Sequence, residues 1–277
     1  MVKIVPEAQV HADDLAWRPW TDDRSTPFVA TGTHGDAWVK VLSRDADAGA
    51  ESLLYKLDKG WSASSLENTV YENLLVLDGV IEVDGLTLQR NSYAYRPQGH
   101  LSHSASSPTG ATVFACAGAP GEPASKVAVP CIDTESMPWT PRPVGHEDAR
   151  YFVKMLRGDE ENLDTYYMMW TMRGTETHKV TAHDAPEEAF YLEGRTEFYE
   201  SVTEGRIIGT RGTYIHRGPM SKHGFVKVVE DQVVFKHDYF TNEVEEAEDI
   251  FFSSYPAETE AVRALKEGRQ PDLPKRW

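Results

Sequence analysis

The sequence holds only two cysteines in 277 residues, Cys116 and Cys131. Two thiols in a chain of this length make neither a disulfide framework nor a zinc–thiolate site. No apolar run approaches the ~20 residues that a membrane helix needs. The opening residues, Met1 to Glu7, lack the apolar core of a signal peptide, so a cytoplasmic, reducing setting is expected. Positive charge is scarce: 28 Lys and Arg stand against 44 Asp and Glu, a formal −16. That balance excludes nucleic acid and anionic lipid as main partners, since both need clustered cations. Long amphipathic helices are nearly absent. One is predicted near the end, Ala257 to Glu267, with Ser254 and Pro256 as start signals and Gly268 as stop. No Gly-rich phosphate loop, nucleophile elbow or Cys-X-X-Cys pair is present. What is left is expected to be a soluble protein, monomer or homodimer, whose main partner is neither nucleic acid nor membrane.

What the chain does have is a copy of itself. Trp38-Val39-Lys40-Val41-Leu42 is echoed by Phe152-Val153-Lys154-Met155-Leu156, and Gly60 by Gly174, at an offset of 114. Tyr71 to Gly79 is echoed by Pro186 to Gly194 at 115. Tyr93-Ala94-Tyr95-Arg96 returns as Tyr214-Ile215-His216-Arg217 at 121, and His103 as His223 at 120. Ordered echoes at a slowly drifting offset imply two modules, 1–138 and 139–277. Charge agrees, with 10 basic and 18 acidic side chains in the first half and 18 and 26 in the second. Each half therefore carries −8, and the acidity is not a tail. Pro138, Pro141 and Pro143 mark the join, because proline stiffens a connector and is excluded from central strands.

Each module reads as short strands. Ser52 to Leu57 alternates in part and ends at Asp58-Lys59-Gly60, a turn signal. Glu72 to Leu77 and Val80 to Val83 flank Asp78-Gly79, which predicts a hairpin turn. Glu193-Gly194 repeats that pattern between Ala189–Leu192 and Arg195–Tyr199. Thr165 to Thr171 is rich in aromatic and β-branched residues, as strands are. Val226–Val229 and Gln232–His237 are two further predicted strands. Many short strands with evenly spaced turns point to a sandwich or a jelly-roll barrel.

Among the polar residues, His183 precedes Glu187 by four, His178 lies five before His183, and His223 follows Arg217-Gly218-Pro219. Imidazole plus one carboxylate is a donor set for Fe(II), Mn(II) or Zn(II), and two His with one carboxylate leave positions open for substrate and O2. Residue types alone leave a second reading, solvated loop histidines. Glu188, next to Glu187, faces the other way in a strand and reads as a surface or partner-contact residue. Arg96 and Arg217 hold equivalent places and read as a repeated ion pair or as a clamp on an anionic substrate. His216 and His237 read as hydrogen-bonded structure, and Cys116, in an apolar strand, as core.

These residues carry a resemblance. His183, then Glu187 four on, then Gly194, resemble the first motif of the cupin superfamily. Tyr214 to His223, with Pro219 before the histidine, resembles the second. The first module has the same frame in Gly60, Glu72, Gly79, Arg96 to Gly99 and His103. Its opening, His11 to Trp20, with the Lys40-Val41-Leu42 and Leu53-Leu54 strands, resembles the cupin module of ChrR-type anti-sigma factors, to which acetylacetone-cleaving dioxygenases are similar. The resemblance implies an all-β chain of two tandem cupin domains, that is, two double-stranded β-helix jelly rolls, plus the short C-terminal helix.

Two departures sharpen what the resemblance implies. The family's first motif carries two histidines one residue apart. The second module has Thr181 and His183 there, and the first has Leu66 and Asn68. The N-terminal cupin is therefore expected to be metal-free. The C-terminal cupin is the expected metal domain, with His183, Glu187 and His223 as ligands and His178 as a fourth. Fe(II) is favoured, with Mn(II), Zn(II) and Ni(II) as alternatives. The implied activity is a non-heme Fe(II) dioxygenase acting on a small carbonyl or enol compound, with Glu187 and Arg217 in catalytic places and Arg217 or a tyrosine orienting the substrate. A ligand-binding or sensor cupin, or a metal-assisted isomerase or hydrolase, would use the same frame.

Overall fold

The computed structural model describes residues 8–22, 27–45, 49–118, 127–141, 151–159, 164–181, 186–200, 205–218, 223–239 and 246–249. The chain forms two compact units. Unit 1 comprises Met1–Ala8 and Ala12–Ser136, and unit 2 comprises Gln9–His11 and Met137–Trp277. The helix expected over 257–267 and the imidazole of His183 lie outside the described residues. Among those described, no helix is long and apolar enough to cross a membrane.

The main sheets of the two units have one strand order. In unit 1 it runs Val129–Asp133, Ser92–Arg96, Glu72–Val83, Ala111–Ala117, Glu51–Leu57, Ala37–Arg44, Arg18–Pro19. In unit 2 it runs Ala8–His11, Thr213–Arg217, Glu187–Glu200, His223–Tyr239, Asp164–Thr171, Tyr151–Asp159, Thr140–Pro141. The first strand of each list is exchanged. Ala8–His11 precedes unit 1 in the chain yet closes the sheet of unit 2, where a ring N–H of His11 donates to the Arg211 carbonyl at 3.0 Å. Val129–Asp133 closes the same edge of unit 1. An edge strand left open is a row of unmet backbone groups, and the exchange covers both.

Strand alternation then decides what faces inward. In unit 1, Leu74 and Val76 share their face with Leu53, Tyr55, Ala94, Val113 and Ala115, and all are buried in one apolar core. In unit 2, Ala189, Tyr191, Phe198, Ile207, Ile215 and Val234 form the matching core. Each of the larger side chains among them contributes about 1.5–3 kcal/mol through the water it gives up, and each alanine methyl about 0.8 kcal/mol.

Two predicted turns are not turns. Glu72–Val83 is one continuous strand through Asp78-Gly79, and Glu187–Glu200 is one strand through Glu193-Gly194. The reversal in unit 1 comes later, at Asp84-Gly85, both at positive φ between Val83 and Leu86. Gly79 (φ 76°) and Gly194 (φ 85°) instead accompany bulges in their pairing with the neighbouring strand. A Cβ at Gly79 would overlap the Gly110 carbonyl, and one at Gly194 the Asp231 carbonyl. Glycine is there for a bulge and a close backbone approach, which bend a long strand from one sheet into the next. For the same reason the two strands expected over 226–237 are a single strand, His223–Tyr239.

Candidate functional site

The inward face of unit 2 carries charge at one end. Glu187 lies two residues before Ala189, Arg217 two after Ile215, and Lys236 two after Val234, so all three share the core-facing side. Glu187 and Arg217 are direct cross-strand partners, and Lys236 is diagonal to Glu187, opposite Ala189. The Arg217 guanidinium donates through Nη1 to Glu187 Oε1, and Lys236 Nζ donates to Oε2 at 3.0 Å. All three are buried. Tyr167, opposite Lys236 in register, sets its ring 5.9 Å below Nζ.

Unit 1 repeats the frame with other contents. Glu72 is fully buried and faces Arg96, whose Nη1 lies 3.5 Å from Oε2. Tyr55 Oη donates to Glu72 Oε1 at 3.3 Å, and Asn68 Nδ2 to Oε2 at 3.2 Å. Burial pushes the Glu72 carboxyl above its ordinary range, although Arg96 and the hydrogen bonds pull the other way. Burial, with the negative charge of Glu72, also pushes the Tyr55 phenol well up. Ala115 stands where unit 2 has Lys236, and its partner Leu53 where unit 2 has Tyr167. Trp20, Phe28 and Tyr55 pack ring to ring, with centroids 4.3–5.8 Å apart, over this core. His103 is exposed, and its backbone N–H donates to Asp84 Oδ1 at 2.7 Å. It therefore does not join Glu72. His100 is partly buried, and burial with the nearby Arg96 lowers its pKa.

Of the expected ligands, the structure describes the side chain of Glu187 alone. His183 lies outside the described residues. His178 and His223 fall in strands Glu176–Thr181 and His223–Tyr239, with their side chains outside the description. Among the described residues, no three His, Cys, Asp or Glu side chains come together as a metal cluster. The donor chemistry of Glu187 is a direct test of fit. Each of its oxygens already accepts from a cation, so a divalent ion there would stand beside two positive charges. In this arrangement the Glu187 carboxylate does not fit a metal, and it fits a salt-bridge hub.

The opposite face of unit 2 also differs from the sequence expectation. Glu188 does point away from Glu187, but it is buried rather than exposed. Tyr214 Oη donates to Glu188 Oε1 at 2.6 Å, and His237 Nδ1 lies 3.4 Å from Oε2. His237 stacks on Tyr166 at 4.1 Å, and the Arg157 guanidinium sits 5.0 Å over the same ring. Register makes this a single row across five strands: His216, Glu188, His237, Tyr166, Arg157. The corresponding row of unit 1 is Tyr95, Asn73, Cys116, Ser52, Ser43, all buried and none formally charged. Separately, a groove of about 490 Å³ in unit 1, bordered by Ser62, Glu82, Thr87 and Ser106, shares no residue with either inward cluster.

The fold sets the class: it is that of the cupins, two jelly rolls in one chain, and solved structures share it across most of their length. A protein from Nostoc punctiforme, solved as a candidate dioxygenase, superposes with a TM-score of 0.71 at 14% identity over 87% of both chains. Protein Ylba from E. coli gives 0.60 at 17% identity over 88% of this chain and 96% of that one. A variant of salicylate 1,2-dioxygenase from Pseudoaminobacter salicylatoxidans gives 0.52 at 10% identity, covering 69% of this chain and 71% of its own. At these identities the likeness establishes the fold. Within that fold the chain belongs to the family described as a domain of unknown function, DUF4437, whose model matches residues 30–236 and so spans both units. A search of curated proteins finds no match.

Proposed function

We propose that this protein is a cupin enzyme of the dioxygenase kind, acting on a small carbonyl or enol compound, with its reacting centre in unit 2. The observation that supports this most is the buried inward cluster of Glu187, Arg217 and Lys236, on a fold shared with a salicylate dioxygenase. The finer likeness to ChrR-type cupins and acetylacetone-cleaving dioxygenases belongs to the same proposal and rests on the motif residues alone. The residues offered for a metal are His178, His183 and His223, with Fe(II) favoured and Mn(II), Zn(II) or Ni(II) as alternatives. Glu187 was expected as a ligand beside His183 and His223, with His178 as the fourth, and its two cations suit it instead to holding Arg217 and Lys236 in place. The part played by the described residues is electrostatic: a cationic pair near a developing enolate stabilises it, and burial strengthens that effect. Tyr167 gives the cluster an aromatic floor.

Oxygen uptake by the full chain, loaded with Fe(II), over a panel of diketones and hydroxy-ketones tests the reading. Substrate-dependent uptake is the expected result. No uptake across the panel, together with trace metal in protein purified without added metal, overturns it. A second reading, a binding or sensor cupin, is favoured by one observation, the salt-bridged state of Glu187. It predicts ligand binding without uptake.

A further inference from the structure

We infer that the groove of unit 1 is a binding site for a polyol that carries a primary ammonium, an amino sugar being the simplest case. The site is separate from the reacting centre proposed in unit 2 and does not rest on it. Its floor is the outer face of four paired strands: Trp61–Ala63, Ala105–Ser107, the second half of Glu72–Val83, and Leu86–Gln89. Register sets Ser62, Ser106, Glu82 and Thr87 in one row across them. Ile81 and Val83 are buried in the core, so Glu82 between them points outward. The groove over this row, about 490 Å³, is also bordered by Gly85 and Ser104. That volume is in the range of small-ligand sites. Among the described residues that border it, only Glu82 is charged.

The equivalent row of unit 2 accounts for both the space and the charge. There Glu176, Lys227, Glu197 and Ile208 stand in register. Glu176, Lys227 and Ile208 are larger than their counterparts Ser62, Ser106 and Thr87, so unit 1 has room where unit 2 has side chain. Lys227 stands between the two carboxylates, with Nζ 3.5 Å from Glu176 Oε1. In unit 1 that lysine is replaced by Ser106, whose hydroxyl donates to Glu82 Oε2 at 3.2 Å. His34 extends the row beyond Ser62, but three strand spacings, about 14 Å, separate it from Glu82. Asp84, two residues on from Glu82, adds negative charge, and its Oδ1 accepts from the backbone N–H groups of His103 and Ser104 at 2.7 and 2.9 Å. Glu82 therefore has a hydroxyl in register where Glu197 has an ammonium, and a ligand ammonium completes the pair. The hydroxyls fix the rest of the ligand. Ser62, Ser106 and Thr87 each donate and accept, and successive places in the row repeat at about 4.8 Å. Alternate equatorial groups of a pyranose ring repeat at nearly that distance, so one ring can meet Glu82 and a neighbouring hydroxyl together.

Titration of the full chain, followed by NMR at low salt and below neutral pH, with glucosamine and glucose tests this. The two sugars differ in that an ammonium replaces one hydroxyl. Glucosamine is expected to bind about threefold or more tightly, a preference that shrinks with added salt. Glu82→Gln is expected to abolish the preference. Ser106→Lys is expected to do the same, because it gives unit 1 the ammonium that unit 2 carries, and two independent variants keep a folding defect in one from hiding the answer. Glu197→Gln removes the same charge from unit 2 and is expected to leave the preference as it was. Equal affinity for the two sugars, no saturable binding of glucosamine, or a preference that survives in Glu82→Gln overturns the site. So does an equal loss in Glu197→Gln, which would mean that the acidic chain attracts amines without a groove. Nα-acetyl-lysinamide offers an ammonium without the hydroxyls, and tighter binding of it than of glucosamine overturns the sugar assignment in favour of a peptide.

Discussion

At the innermost charged position unit 1 sets Glu72 against one cation, Arg96, and unit 2 sets Glu187 against two, Arg217 and Lys236. The same difference recurs on the other face, where Asn73 and Cys116 in unit 1 are Glu188 and His237 in unit 2. The strand order, the bulge glycines and the exchanged edge strands are common to both. Duplication has kept the parts that bend and close the sheets. What differs is the charge placed on both buried faces of the central strands. Where unit 2 has Lys236 and Tyr167, unit 1 has Ala115 and Leu53, beside a Trp20–Phe28–Tyr55 cluster, so its Glu72–Arg96 pair is the smaller buried charge set of the two. Each added buried charge has a desolvation cost to offset.

The largest expected effect breaks the asymmetry at its centre. Glu187→Ala leaves two buried cations without their carboxylate, and removing one partner of a buried pair typically costs about 3–5 kcal/mol. Denaturant unfolding should show the midpoint falling accordingly. Glu72→Ala strands a single cation and should cost less. Equal losses in the two variants would mean that Lys236 contributes nothing to the cluster.

A second pair of substitutions tests what the units share. Gly79→Ala and Gly194→Ala each force a Cβ toward a backbone carbonyl at positive φ. Left-handed strain alone costs about 1–3 kcal/mol per residue. Both variants should lose stability by similar amounts in that range or above it. A mild effect in one unit alone would show that its bulge is not needed to bend the strand.

Much of this architecture is legible in the sequence, for physical reasons. Repeated spacing survives duplication, so Glu72 and Glu187, and Arg96 and Arg217, align by their offsets alone. The Asp78-Gly79 pair misleads because positive φ serves a bulge as well as a turn, and a sequence does not say which. The turn was one signal later, at Asp84-Gly85, between Val83 and Leu86. Glu188 was misjudged because alternation gives the face but not what lies against it, and this sheet buries both faces. Lys236 and Tyr167 were missed although a signal existed. Alternation from Val234 puts Lys236 inward, and the offset of 121 that relates Arg96 to Arg217 sets it on Ala115. Contrast between copies, rather than identity, marks those two positions.

On the outward row, Tyr214→Phe and Tyr93→Phe remove the same hydroxyl from different acceptors. Tyr214 donates to the Glu188 carboxylate at 2.6 Å, and Tyr93 to the Asn73 amide oxygen at 2.7 Å. Hydrogen bonds to charged groups contribute about 1.5–3 kcal/mol and neutral ones about 0.5–1.5. The Tyr214 variant should therefore unfold at clearly lower denaturant than the Tyr93 variant. The reverse order would show that Glu188 holds no charge in the folded protein.

The smallest effect concerns pH and unit 1. Burial raises the Glu72 carboxyl above its unfolded value, so the folded state binds the proton more tightly. Stability from this group is then present in full below the ordinary glutamate range. It falls as pH rises from that range through the raised value, because there the unfolded state binds fewer protons. Glu72→Gln keeps an oxygen to accept from Tyr55 and Asn68 and has no proton to lose in this range. It should flatten that slope in thermal unfolding measured between about pH 4 and pH 8, relative to the native chain. An unchanged slope would place the titration elsewhere. A steeper one would mean that Arg96 holds Glu72 ionised and that unit 1, like unit 2, is built around a true ion pair.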